Sequence, residues 1–75
     1  MEQWDLMRIR KQNNETQSDV AKVLDISESS YRNKELGRTQ FKMEEMFIIA
    51  RHYNKSIEEI FLPMNFTVRE SREMV

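Results

Sequence analysis

Apolar side chains recur along this chain three and four residues apart, in short stretches separated by polar residues that favour turns. The spacing predicts a first helix from Glu2 to Asn13, with Leu6 and Ile9 on one face and Asn14, tolerant of left-handed backbone, ending it. Thr16 opens a short second helix as a Thr-x-x-Asp capping box, and Val20, Ala21 and Leu24 form its buried stripe. Asp25, Ile26 and Ser27 read as a tight connection. Asp25 is a residue type able to take a positive φ, Ile26 is expected to point inward, and Ser27 is expected to cap a third helix that stops at Gly37, the single glycine of the chain.

From Met43 the apolar positions 43, 46, 50 and 53 follow a helical period, with Phe47 and Ile48 off that stripe and Asn54 as a further left-handed stop. Ser56-Ile57-Glu58-Glu59 is a full capping box for a last short helix through Phe61, and Pro63 prevents its continuation. The pattern thus predicts an all-α bundle of five helices over residues 1–62, with residues 63–75 as a tail. Within that tail Phe66-Thr67-Val68 has the alternation of a short strand, while Arg69 to Glu73 reads equally as a solvated end.

Composition narrows the chemistry. Seventy-five residues suffice for one small domain and leave no room for a second catalytic or ligand-sensing unit. Without cysteine there is no disulfide or thiolate metal site, and the one histidine cannot make a zinc site by itself. No metal or cofactor is expected. The longest apolar run, Met46 to Ala50, is far too short to span a membrane, and no signal pattern opens the chain, which points to the cytoplasm. No nucleophile–base pair, glycine-rich phosphate loop or carboxylate–histidine cluster suggests an enzyme, and His52 falls on the polar side of the fourth helix.

The formal net charge of −1 is unlike that of a strongly basic nucleic-acid binder. Its distribution is sided, however. Residues 27–43 carry Arg32, Lys34, Arg38 and Lys42 against Glu28 and Glu35, whereas residues 44–62 carry Glu44, Glu45, Glu58 and Glu59 against Arg51 and Lys55. A basic face with an acidic back fits a DNA surface.

Two helices joined by a three-residue turn, within five short helices, resemble the Cro/CI repressor family of helix-turn-helix proteins. The resemblance covers about Leu6 to Phe61. It is carried by Thr16-Gln17-Ser18-Asp19-Val20-Ala21, Ile26-Ser27-Glu28-Ser29-Ser30-Tyr31, Glu35-Leu36-Gly37 and Ser56-Ile57-Glu58-Glu59-Ile60-Phe61.

The resemblance implies that the helix 28–36 enters the major groove and presents Glu28, Ser29, Arg32 and Asn33 to base edges. Asn33 suits adenine, Arg32 guanine or phosphate, and Glu28 cytosine, although a carboxylate there also suits the helix N-terminus by itself. Phosphate contacts are implied for Gln17, at the start of the second helix, and for Ser27, Ser30, Arg38, Thr39, Gln40 and Lys42. Arg10 and Glu35 match a buried ion pair linking the first and third helices, and Tyr31 matches a core position. Glu15 and Lys34 depart from the family by replacing apolar residues, and Lys42 stands where a Ser or Thr cap is usual.

The function implied is a sequence-specific repressor that binds double-stranded DNA as a homodimer, with no small-molecule ligand, acting in the bacterial nucleoid and of a kind common in phages and mobile elements. Phe47 with Ile48, or Phe66 with Val68, are the candidate dimer contacts. The alternative is a protein-binding module on the same fold, antirepressor or antitoxin-like.

Overall fold

The computed structural model of the chain describes residues 2–61, and among these it contains five α-helices and no strand. They are α1 (Trp4–Gln12), α2 (Gln17–Leu24), α3 (Glu28–Glu35), α4 (Met43–Tyr53) and α5 (Ile57–Ile60). The first helix starts two residues later than its periodicity suggests, and Phe61 leaves α5 in extended backbone. The tail 63–75, with its candidate strand and the pair Phe66 and Val68, lies outside the described residues.

Local chemistry starts and stops these helices. Thr16 accepts from the Asp19 N–H while the Asp19 carboxylate accepts from the Thr16 N–H, and Ser56 and Glu59 repeat the arrangement at α5. At α4 only half of it exists. The Lys42 side chain has no acceptor to offer, so the Lys42 N–H donates to Glu45 Oε1 at 2.8 Å and no side chain returns the bond.

Four helices end alike, on Asn14, Asp25, Gly37 and Asn54, all at φ between 57° and 83°. In each case the left-handed residue and its successor return hydrogen bonds to carbonyls three and five residues earlier: Gly37 to Lys34 and Arg38 to Asn33 at α3, Asp25 to Lys22 and Ile26 to Ala21 at α2. These bonds satisfy carbonyls that a helix end otherwise leaves unpaired.

The core gathers Leu6 and Ile9 from α1, Val20, Ala21 and Leu24 from α2, Tyr31 from α3, Ile49 and Ala50 from α4, and Ile60 with Phe61 at the end. Ile26 packs against it from the α2–α3 turn, as expected. Phe41 also enters the core, although its neighbours Arg38, Thr39, Gln40 and Lys42 are all polar or basic. Its ring meets Tyr31 and Phe61 edge-on, with centroids 6.0 and 5.2 Å away, and so pins the loop to the bundle.

The fourth helix is rotated relative to its apolar stripe. Met43 is 60% exposed, while Ile49 and Ala50 are buried, Met46 and Tyr53 are half-buried, and Glu45 turns inward. The reason is Glu45: its carboxylate is held by the Lys34 ammonium at 3.1 Å and by the Lys42 N–H, which draws that face of the first turn inward and leaves Met43 outside.

Candidate nucleic-acid interface

The interface is built outward from one buried carboxylate. Ser27 caps α3 by accepting the Ser30 N–H at 3.0 Å, which starts the helix so that Tyr31 and Glu35 share its inner face. Glu35 is 1% exposed and accepts four hydrogen bonds: from Arg10 Nε and Nη2 at 2.9 and 3.1 Å, from the Tyr31 hydroxyl at 2.7 Å and from Gln17 Nε2 at 2.9 Å. The expected Arg10–Glu35 pair is therefore present, forked and almost dry. Arg10 also donates to the Glu15 carbonyl at 3.0 Å, and the Gln3 N–H donates to the Glu35 carbonyl at 2.9 Å. Three helices are thereby referenced to one point at the end of α3.

The charges there fit the geometry. Burial pushes the Glu35 carboxyl up, but hydrogen bonds from Arg10, Tyr31 and Gln17 outweigh it and hold the group below the usual carboxylate range. Burial, then the bond to Glu35, pushes the Tyr31 phenol up, so it remains a donor at any ordinary pH. A buried pair of this kind fixes orientation more than it adds stability, because desolvation offsets much of its attraction.

With Tyr31 and Glu35 fixed inside, α3 turns its other side to solvent. Glu28, Ser29, Ser30 and Arg32 are exposed and Asn33 is half-exposed. Arg32 reaches two acceptors, Glu28 Oε2 at 3.5 Å one turn earlier and Gln17 Oε1 at 3.4 Å on α2. Gln17 is half-buried, its amide nitrogen turned to Glu35. Ser27 and Ser30 join their hydroxyls at 3.0 Å at the head of the helix.

After Gly37 the loop keeps Arg38, Thr39, Gln40 and Lys42 exposed around the inward Phe41. The Arg38 and Thr39 N–H groups both return to the Asn33 carbonyl. Lys34, a departure from the family, lays its stem inward and places its ammonium on the Gln40 carbonyl at 3.2 Å and on Glu45. It is thus a strut under the loop, and the exposed cations of this face are Arg32, Arg38 and Lys42. The other departure, Glu15, is matched as well: it accepts from the Tyr53 hydroxyl at 2.6 Å, and His52 Nε2 lies 2.8 Å from its second oxygen. Sequence reasoning missed Tyr53, Glu45 and Phe41 as organisers of the site; only Phe41, an aromatic amid polar neighbours, carried a visible signal.

Away from α3, an apolar groove of about 570 Å³ runs between α4 and α5, lined by Met43, Met46, Phe47, Ala50, Ile57 and Phe61. Phe47 is 54% exposed at its rim, whereas Ile48 packs partly against the core. No helix among the described residues is long and apolar enough to cross a membrane.

A protein-family model described as helix-turn-helix matches residues 6–60 of the chain. No curated protein and no solved structure matches it significantly.

Proposed function

From the premise that the chain belongs to the Cro/CI-type helix-turn-helix family, whose members are DNA-binding transcription regulators, we propose that it is a repressor that binds a palindromic operator as a homodimer. The observation that carries this reading is the two-sidedness of α3. Its inner side is clamped through Tyr31 and Glu35 to two other helices, so its outer side is presented rigidly, as recognition requires.

In this reading Glu28, Ser29, Arg32 and Asn33 face base edges in the major groove. Ser27, Ser30, Arg38, Thr39, Gln40 and Lys42 lie along the sugar-phosphate backbone, where hydroxyls, amides and cations position the protein without reading sequence. One short helix reads few base pairs, so two copies are brought together on half-sites one helical turn apart.

The seam that best fits is the groove between α4 and α5. Met43 and Phe47 project from the rim of the hollow that they line, so the same patch offers a knob and a hole, as an isologous contact needs. Lys55 and Glu58, also on its lining, supply opposite charges that can exchange partners across a two-fold axis. Ile48, half spent on the core, contributes less.

Replacing Arg32 or Asn33 by Ala tests the recognition helix. Each is expected to cost about 1–3 kcal/mol at one base position with helical content unchanged by circular dichroism. Operator binding as tight as the parent's in both variants would refute it.

A further inference from the structure

We infer that the Lys34–Glu45 ion pair is a positioning device for the loop between α3 and α4, so that two residues that touch no DNA, one of them an acid, tighten operator binding. The inference rests on the reading of that loop as lying along the sugar-phosphate backbone. It gives a DNA-binding role to a lysine that departs from the family at a usually apolar position.

The loop is held at its start, middle and end by groups of the two helices that flank it. At its start the Arg38 N–H donates to the Asn33 carbonyl at 2.9 Å. In its middle the Gln40 carbonyl accepts from the Lys34 ammonium at 3.2 Å. Phe41 then turns into the core, with the same ammonium 6.0 Å from its ring centroid. At its end the Lys42 N–H donates to Glu45 Oε1 at 2.8 Å, and that oxygen lies 3.1 Å from Lys34 Nζ. One ammonium and one carboxylate oxygen thus fasten the middle of the loop to its exit, and α3 to the first turn of α4.

The pair lies inside the fold, with 14% of the Lys34 side chain and 9% of the Glu45 side chain exposed. A lysine on the outer side of this face would serve as a phosphate ligand; here the ammonium is turned to two acceptors beneath the loop. A buried ion pair adds little stability over apolar side chains of similar volume, because desolvation offsets its attraction. Apolar residues would fill the same space, but they could bond neither the Gln40 carbonyl nor the Lys42 N–H. What the pair adds is a fixed backbone on either side of Phe41, from which Thr39, Gln40 and Lys42 project into solvent. A loop ordered before binding loses less conformational entropy when it settles on phosphates.

The test compares the full chain with Lys34→Met/Glu45→Met, which removes one charge of each sign and so leaves the net charge unchanged. Binding is measured over a range of salt on a duplex selected by the parent from a random-sequence pool, on its single-base variants and on unselected duplex. Urea denaturation follows stability, which is expected to hold, as for other buried pairs replaced by apolar residues. Affinity is expected to fall about tenfold on every sequence alike, since a loosened loop must be ordered on each of them. The log–log salt slope stays that of the parent, because no phosphate contact is lost.

Glu45→Gln preserves shape, keeps the test available if the double variant folds poorly, and gives a sign that charge alone cannot produce. Removing a negative charge beside the DNA face favours binding by electrostatics. Because the hold on Lys34 is weakened, affinity is instead expected to fall about threefold. Parental affinity in the double variant, or tighter binding by Glu45→Gln, would overturn the inference. So would a salt slope flattened by about one unit in the double variant, which would make Lys34 itself a phosphate ligand. If Arg38→Ala/Lys42→Ala leaves affinity and slope unchanged, it is the placement of the loop on the backbone that fails, and the inference with it. Nitrogen-15 relaxation of the amides of residues 39–42 needs no DNA: their order is expected to fall in the double variant, and unchanged order would overturn the positioning role.

Discussion

The Tyr53 hydroxyl donates to Glu15 Oε1 at 2.6 Å, joining the turn after α1 to the last turn of α4 across 38 positions of sequence. This bond turns a carboxylate at a place where the family has an apolar side chain into a structural anchor. Burial, and then the bond to Glu15, pushes the Tyr53 phenol up, so the donor persists far into alkaline pH. Tyr53→Phe is expected to lower stability by about 1–2 kcal/mol in urea denaturation, since it strands half of a partly buried carboxylate. DNA affinity at a temperature well below the transition should be unchanged. A variant as stable as the parent would show the bond to be exchanged for water without loss.

Arg10→Met leaves the Glu35 carboxylate buried without its cation, and is expected to cost about 3–5 kcal/mol, which for so small a domain is much of the available stability. Chemical denaturation with a stabilising osmolyte brings the variant into a measurable range. A loss under 1 kcal/mol would mean that Tyr31 and Gln17 satisfy the carboxylate by themselves.

Acid should act through the same group. Because the Glu35 carboxyl is held below the usual range in the folded chain, its contribution to stability is complete above its unfolded value of about 4.3. It is lost as pH falls through the lower folded value. Unfolding free energy is therefore expected to decline with acidification from about pH 5 downward, and Glu35→Gln should flatten that slope while lowering the plateau at neutral pH. An acid limb of equal steepness in the variant would assign it to other carboxylates, of which Asp19 and Glu59 at the helix starts are also held low, by hydrogen bonds from the backbone of Thr16 and Ser56.

Arg38→Ala removes an exposed cation from the loop after α3. If it faces a phosphate, operator binding weakens to a similar degree for all sequences, and the log–log salt dependence flattens by about one unit per site contacted. Weakening confined to one base pair with the slope intact would instead place Arg38 in the groove.

Phe47→Glu puts a charge on the exposed rim of the α4–α5 groove. The fold is expected to survive, because that ring is mostly outside the core. If this groove is the proposed dimer seam, sedimentation should show the variant as a monomer, with operator affinity down about a hundredfold as the second half-site becomes a separate binding event. A variant that remains dimeric would move the seam elsewhere.

The sequence by itself determined the elements and most of their ends, because those depend on neighbours within a turn. Thr16 with Asp19, Ser27 with Ser30, and Ser56 with Glu59 are bonds across three residues. The left-handed stops at Asn14, Asp25, Gly37 and Asn54 are properties of single residue types. The Arg10–Glu35 pair, 25 residues apart, was legible only through resemblance to a family.

What only the tertiary structure decided is which way ambiguous side chains turn. Apolar periodicity could not show that Glu45 would displace Met43 from the inner face of α4, since the partner that draws it inward, Lys34, belongs to another helix. Nor could it pair Glu15 with Tyr53, or show that Phe41 would fold a basic loop onto the core. The amide of Gln17 is the clearest instance. Its residue type offers a donor and an acceptor equally, and the buried carboxylate of a different helix selects which of the two faces outward.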